Sequence, residues 1–445
     1  MKTRKISDFL NNELKEYATD VLTNRALPSC IDSFKPTQRK IMWTAINIWK
    51  TGNEKPVRVF SIVGSVSSFA YYHHGDASCS EAVCNMNQTF KNNIPLLEGF
   101  GQYGSLRNPF HAQSRYISTK LHPNFRLIYK DFELLENQID EGVVIEPAVY
   151  LPILPVVIIN QSSSIGMAYS SNILGRNPKE VLQGCIDYLN GKKVKELKPY
   201  MTEFSGEWIR DTENRNKWYS KGVYEIIKND VHITELPPDW TFEKYESYLD
   251  SLVDKKIIKD YDNNSASSVD YTLKFRKEDL QNLIDTNKLE SVLKLTSSIT
   301  ENFTTLDENS KLKIFDSAED ILKYFVDFRL KYYQKRKDYL IDKYKKELNE
   351  LCWRAKFIKS IIDKKLVVNN KPKDEIVKWL EENKFEKMNN DYGYLLSMQI
   401  YSLTKEKYDD LICRAKQKKD LFDDIMKKDP KEMYLEDLQD LKKKL

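Results

Sequence analysis

From Ile341 onward the residues Ile341, Tyr344, Leu348, Leu351, Ala355, Ile358 and Ile362 recur at alternating steps of three and four. That spacing lays one apolar stripe along an α-helix, and the stripe needs a facing surface to bury it. Ile321, Phe325, Phe328 and Tyr332 show the same spacing upstream, before a break. Forty-odd helical residues span roughly 60 Å. A second long helix is expected to start at Thr404, whose hydroxyl can cap it, and to stop before Pro430. Residues 372–400 read as a compact helical piece between the two. A long antiparallel coiled-coil arm with a helical globular tip meets these demands. A plain helical bundle meets them too.

The rest of the chain is of another kind. At 445 residues it exceeds one compact core, and 31% charged residues with only 14 Gly favour exposed helix over an all-β design. The fold class is α+β multidomain. Residues 1–24, with four basic and four acidic side chains, read as a short helical arm. Asp32-Ser33-Phe34-Lys35-Pro36 is a turn into a helix carrying Ile41, Met42, Ala45, Ile46 and Trp49, which Gly52 ends. Further helices are expected over 57–69 and from Asp76 to Phe90. Three short helices with basic residues between them resemble a helix-turn-helix or winged-helix unit, and 94–130 reads as loops and short strands that include a wing. The apolar run 151–159 reads as a buried strand. Residues 202–315, with Val231-His232-Ile233-Thr234 and Tyr271-Thr272-Leu273-Lys274-Phe275, read as an α/β domain.

The net charge of +4 hides a local excess. Residues 25–120 hold eleven basic side chains against five acidic ones, so the remainder is slightly acidic. This fits a phosphate-binding surface, or a merely soluble basic face. The six cysteines are scattered without a C-x-x-C pair, which argues against a zinc module or a disulfide framework and for reduced thiols in the cytoplasm. The N-terminus lacks the apolar core of a signal peptide, and no apolar run is long enough for a membrane. There is no G-x-x-x-x-G-K-[ST] loop and no H-E-x-x-H. Asp260-Tyr261-Asp262 reads as a solvated strand end rather than a magnesium site.

The chemistry-bearing residues are Arg25, Lys35, Arg39, Lys40, His73-His74-Gly75-Asp76 and Arg115-Tyr116. Phosphoryl transfer needs a nucleophile, cations around the phosphate oxygens and hydrogen-bond donors to them. A deprotonated Tyr can attack phosphorus, an adjacent Arg can stabilise the added charge, and a His can donate to the same oxygens. By chemistry alone Tyr116 is one tyrosine among 26. The two histidines suit a helix start equally well.

Taken in order, these segments resemble the type IIA DNA topoisomerases. The signature runs through Arg25-Ala26-Leu27-Pro28, Asp32-Ser33-Phe34-Lys35-Pro36-Thr37-Gln38-Arg39-Lys40 and Tyr72-His73-His74-Gly75-Asp76. It continues in Pro95-Leu96-Leu97-Glu98-Gly99-Phe100-Gly101-Gln102-Tyr103-Gly104-Ser105, in Ser114-Arg115-Tyr116-Ile117 and in Tyr150-Leu151-Pro152-Ile153-Leu154-Pro155. Ile233-Thr234-Glu235-Leu236-Pro237 and the segment from Leu396 to Thr404 complete it. Two departures stand out. Asn160-Gln161-Ser162-Ser163-Ser164-Ile165 has Gln and Ser where the family has glycines, which puts the turn before Ile165 in doubt. Asp32-Ser33 replaces Asp-Gly, a milder change.

The resemblance implies a layout, a function and a site. The layout is an N-terminal arm (1–24), a winged-helix DNA-cleavage domain (25–150), an α/β tower domain (151–315) and a coiled-coil arm with a dimerising C-gate (316–445). The function is that of the DNA-cleaving subunit of an ATP-dependent type II enzyme, which breaks a duplex through a 5′-phosphotyrosyl link, passes a second duplex and rejoins the first. Tyr116 would be the nucleophile, assisted by Arg115, Arg25 and His74, with Lys35, Arg39, Lys40 and His73 on the DNA and Ile165 between base pairs. The chain would bind duplex DNA as a homodimer and bind no metal itself. Mg²⁺ and ATP would be handled by a large partner subunit carrying TOPRIM and ATPase domains, because neither segment precedes the arginine motif. Free-standing chains of this length occur in the family as the medium subunit of T-even-like bacteriophage enzymes, which implies a host-cytoplasmic location. The competing readings are a non-enzymatic winged-helix/coiled-coil DNA-architecture protein and a self-sufficient tyrosine recombinase or nuclease.

Overall fold

The computed structural model describes residues 5–52, 54–369, 371–388, 390–399 and 404–445. They form two compact units. The first runs to Arg329 and regains Asp437–Leu445; the second is Leu330–Glu436.

The first unit opens with a helical run from Ile6 to Ala26, whose turns widen to i→i+5 spacing at Leu10–Leu14 and Leu22–Ala26. The run passes the expected limit at residue 24 and carries Arg25 on its last, widened turn. Next comes the helix Pro36–Ile48. Proline stands at its first position, where no N–H is needed, and the Gln38 carboxamide accepts from the Lys35 N–H (3.0 Å). This helix ends before Gly52, which turns the following loop at φ +80°. The helix Val59–Phe69 starts two residues later than the periodicity predicts, because Val57–Arg58 pair as a strand with Ser118 and Thr119. The helix Asp76–Asn87 packs against both of these helices. Beside them Ser118–Leu121 forms the middle of an antiparallel sheet between Val57–Arg58 and Leu97–Phe100.

Asp32 ties these pieces together. Its carboxylate is fully buried and accepts from the Phe34 N–H (3.0 Å), the Tyr150 N–H (3.0 Å), and Arg39 Nε and Nη2 (2.8 and 3.1 Å). The Tyr129 hydroxyl donates to the Asp32 carbonyl (2.9 Å), and its ring stacks on Phe34 at 5.3 Å. Ser33 takes the left-handed conformation (φ 67°) that glycine would adopt more freely.

The apolar run 151–159 is buried throughout, as expected, but is not one strand. Only Leu151–Pro152 pair, with Tyr129 and Lys130, and Val156–Ile158 form a tight helical turn. Pro152 and Pro155 supply no N–H, so the run cannot complete a ladder. Farther on, Ser162–Ile165 and Ser170–Ile173 form a hairpin. Glu207–Arg210, Lys217–Lys221 and Thr296–Thr300 form one antiparallel sheet. Val223–Ile227, Asp230–Glu235, Tyr271–Lys274 and Asp260–Asn263 form another. The second sheet buries Val231, Ile233, Tyr271 and Leu273 against Tyr245, Leu249 and Leu252 of the helix Phe242–Asp254. Its strand Asp260–Asn263 lies at the edge, with Asp260 exposed and Asp262 paired to Lys274 (2.8 Å). Deeper, Arg176 and Glu301 form a bidentate pair (2.8 and 2.7 Å), and Trp218 Nε1 donates to the same carboxylate (3.0 Å).

The apolar stripe forms the forty-odd-residue helix expected of it, and the later part of that helix belongs to the second unit. Ala318–Ile362 is one 45-residue helix, and no Gly or Pro interrupts it. Lys405–Lys427 is the second long helix, capped by the Thr404 hydroxyl accepting from the Lys407 N–H (3.3 Å). The two run antiparallel: Lys337 bonds the Lys428 carbonyl, Lys418 pairs with Glu347, and Leu411 packs on Ala355 and Ile358. Lys373–Glu382 and Gly393–Leu396 form the compact piece, burying Leu380, Phe385, Tyr392 and Leu395 with Phe357. Ile400–Leu403, part of the last signature segment, lie outside the described residues.

Replacing Asp32 by Ala should destabilise the chain by about 3–5 kcal/mol, because Arg39 would keep its buried charge without a partner. Urea denaturation of Asp32→Ala beside the parent measures this directly; a loss under about 1 kcal/mol would contradict the central place given to Asp32.

Candidate active site and nucleic-acid interface

An open cleft of about 780 Å³ lies where the Ile6–Ala26 run, the helices Pro36–Ile48 and Asp76–Asn87 and the Ser162–Ile165 strand approach one another. Arg25, Lys35, Lys91, His73 and His74 line it, and among the described residues its lining includes no carboxylate. Lys35 Nζ reaches the Ser163 carbonyl (3.3 Å), and burial holds its ammonium below the ordinary lysine pKa. Burial does the same to Lys91, which donates to Asn85 Oδ1 (2.5 Å); the more distant Glu81 only partly offsets it. Basic side chains thus outnumber the nearby carboxylates, and Lys35 has no carboxylate partner, so an anionic ligand would be stabilised there. His73 stands 3.5 Å from Asp140, and the His74 ring meets Tyr72 edge-on at 5.3 Å, just before the Asp76–Asn87 helix.

The other expected site residues fall elsewhere. Arg39 is turned inward onto Asp32. Lys40 pairs with buried Glu146 (3.0 Å) and donates to the Ala70 carbonyl (2.5 Å). Both are therefore engaged with buried carboxylates and stand outside the cleft lining. The physical reason is the cost of leaving Asp32 and Glu146 buried and unpaired. Ile165 ends its strand at the tip of the hairpin with 88% of its surface exposed. The Gln and Ser residues before it lie in or beside an extended strand and none has positive φ, so the missing glycines do not disturb the turn. The left-handed position in the hairpin is instead Ala168 (φ 64°).

Arg115 and Tyr116 sit on an exposed turn just before the strand Ser118–Leu121, outside the cleft lining. Tyr116 is 67% exposed. The turn is well anchored. The Tyr116 N–H donates to the Gln113 carbonyl (2.8 Å), the Val59 N–H to Ile117 (3.1 Å) and the Phe60 N–H to Ser114 (3.2 Å). Arg58 Nη1 donates to the Tyr116 carbonyl. Gly101, at φ +109°, lies against Ile117, where a Cβ would come within 3.0 Å of its side chain. Upstream in the same loop, His111 bonds the Ala112 carbonyl and Glu81 (both 2.8 Å). Burial opposes charging of that ring, but the two hydrogen bonds outweigh it and raise the pKa above 6.5. Sequence reasoning counted Arg58 and Lys91 as basic residues without singling them out, since only spatial neighbours distinguish them. Among the described residues no three His, Cys, Asp or Glu side chains gather as a metal site. None of the described helices is long and apolar enough to cross a membrane.

This fold, with these segments in this order, defines a family. The family model for the A-type subunits of DNA gyrase and topoisomerase IV matches residues 25–441, and the chain belongs to that family. It is 32% identical to the DNA topoisomerase medium subunit of Enterobacteria phage T4, covering 99% of this chain and 100% of that one. It is also 32% identical to the mitochondrial DNA topoisomerase 2 of Dictyostelium discoideum, covering 98% of this chain but 35% of that protein, so it spans about a third of such relatives. The crystal structure of the Plasmodium falciparum topoisomerase II DNA-binding, cleavage and re-ligation domain superposes with a TM-score of 0.85 at 33% identity, over 97% of this chain and 63% of that one.

The raised His111 pKa predicts a pH response of the tyrosine loop. The His111–Glu81 contact contributes fully below about pH 6.5 and is lost as pH rises through the higher folded-state value. Limited proteolysis within residues 101–116 should therefore quicken a few-fold between about pH 6 and about pH 8, and His111→Gln should abolish the change. An unchanged pH response in that variant would remove His111 from this role.

Proposed function

We propose that this chain is the DNA-cleaving subunit of a type II topoisomerase, with Tyr116 as its nucleophile. The observation that carries the proposal is the cleft of cations and imidazoles without a carboxylate among its described residues, in a chain of this family whose exposed Tyr116 sits on a clamped turn. The helices Pro36–Ile48, Val59–Phe69 and Asp76–Asn87 with their small sheet serve as a winged-helix head. The sheets of residues 207–300 serve as the tower, and the long antiparallel helices as a coiled-coil arm that closes a homodimer.

In this mechanism the Tyr116 oxygen attacks a backbone phosphorus. A bond from the phenolic oxygen to the 5′-phosphate forms, the bond to the 3′-oxygen breaks, and the phenol proton is released while the 3′-oxygen takes one up. One phosphodiester replaces another, so the step reverses without an energy source. Arg115 supplies positive charge beside the transferring phosphate, with Arg25 and His74 in support. Lys35, Lys91 and His73 hold the backbone along the cleft, and Ile165 wedges between base pairs to bend the duplex. Arg39 and Lys40 act indirectly, through the buried carboxylates they pair with. ATP hydrolysis and Mg²⁺ belong to a larger partner subunit with ATPase and TOPRIM domains, in the cytoplasm of a host cell. The non-enzymatic architectural reading and the self-sufficient recombinase reading are not favoured, because the family match spans the segments around Tyr116.

With the partner subunit present, Tyr116→Phe should reduce denaturant-trapped covalent DNA adduct to background while duplex binding stays within about twofold, because only the attacking oxygen is lost. Persistent adduct in this variant would exclude Tyr116. Duplex binding should weaken steeply with salt, and Lys35→Ala should lower the slope of log K against log salt by about 1. An unaltered slope would place Lys35 off the DNA.

A further inference from the structure

The cleavage turn has a feature that the motif pattern does not contain. Arg58 closes the two-residue strand Val57–Arg58 and stands immediately before the helix Val59–Phe69. Its backbone is paired with Ser118, two residues beyond Tyr116. Its side chain turns back along this pairing, and Nη1 donates to the carbonyl of Tyr116 itself. The next two residues hold the same turn by their backbone, Val59 through Ile117 and Phe60 through Ser114. Three consecutive residues thus grip three positions of the turn, and Arg58 is the one that does so with a side chain and a formal charge.

From this we infer that Arg58 is a positioning residue for DNA cleavage, its guanidinium fixing the Tyr116 carbonyl and through it the direction in which the tyrosine side chain leaves the turn. The inference rests on Tyr116 being the nucleophile. The physical case has two parts. First, the Tyr116 carbonyl defines the peptide plane that follows the Tyr116 Cα, so holding it limits the ψ angle and hence where the phenol can reach. A tyrosine 67% exposed has little packing of its own to do this. In-line attack tolerates little misplacement, and an error of about 1 Å costs on the order of 100-fold in rate. Second, Arg58 is itself exposed, so its bond is not needed to satisfy a buried group and contributes little to global stability. A charged donor keeps such a bond against competing water better than a neutral one. Lysine can supply one charged donor from a similar reach, whereas leucine can supply none.

The test uses Arg58→Lys, Arg58→Leu and Tyr116→Phe, each assembled with the large partner subunit. It follows covalent adduct on a duplex with time, together with duplex binding and the melting temperature. If Arg58 positions the nucleophile, Arg58→Leu slows the approach to the cleavage equilibrium about 100-fold. Forward and reverse steps cross the same transition state, so the final adduct level stays as it was. Binding and melting temperature also stay near the parent, and Arg58→Lys recovers at least about tenfold of the lost rate. A residue that only supported folding or gripped DNA would not produce this split between rate and equilibrium level.

Parent-like kinetics in Arg58→Leu would overturn the inference. So would a loss of adduct in proportion to lost binding, a melting temperature several degrees lower, or a lysine variant no better than leucine. Tyr116→Phe separates the two levels. Adduct persisting there sinks the nucleophile reading and the inference with it. No adduct there, beside parent-like Arg58 variants, sinks the inference alone.

Discussion

A single buried carboxylate organises the working face of this protein. Asp32 accepts from two backbone N–H groups and from both arms of the Arg39 fork, and one of those N–H groups belongs to Tyr150, 118 residues along the chain. A charge at full burial must be paired and hydrogen-bonded or it cannot stay ionised cheaply. The turn at Ser33, the start of the Pro36–Ile48 helix and the segment around Tyr150 are therefore held in one arrangement. Ser33 accepts a left-handed backbone to make the turn, where the family's glycine would be unstrained.

The electrostatics of the cleft follow from how the nearby acids are used. Asp32 is taken by Arg39 and Glu146 by Lys40, both away from the cleft. Lys35, between Asp32 and Arg39 in sequence, is left facing the open side with only a carbonyl as partner. Burial without a counter-charge lowers its pKa, and the same holds largely for Lys91. The two buried carboxylates are thus neutralised away from the opening and Lys35 is left without one, a distribution suited to a polyanion. Tyr116 is handled differently. It lies outside that lining, exposed, with its position set by backbone bonds and by Arg58 rather than by packing. The cleft cations and the Tyr116 hydroxyl are presented by separate elements of the same unit.

Much of this was legible in the residues, for identifiable reasons. Periodicity found the long helices because a stripe at steps of three and four has one low-energy solution, and the Thr404 cap formed as its hydroxyl predicts. The pause in the stripe between Tyr332 and Ile341 leaves that helix unbroken, since an apolar stripe can shift face along a helix that lacks Gly and Pro. Periodicity misjudged 151–159, where burial was correct but two prolines prevent a strand. The doubt over the glycines before Ile165 dissolved because those positions are extended or strand-adjacent, where Gln and Ser sit without strain. Arg39 and Lys40 could not be separated from Lys35 by charge. Which basic side chain meets a buried acid depends on segments more than a hundred residues distant, Tyr150 and Glu146 among them.

By itself the sequence determined the family, the order of the elements and the candidates for phosphoryl chemistry, because motifs and helical periodicity are local properties of the chain. Tyr116, one tyrosine among 26, was singled out by its neighbours in sequence. Only the tertiary structure decided which cations stay open to a ligand, which are spent on buried acids, and that Arg58 reaches the carbonyl of Tyr116. The Lys40–Glu146 pair and the bonds that anchor the Tyr116 turn join segments far apart in the chain, and their outcome exists only once those segments have met.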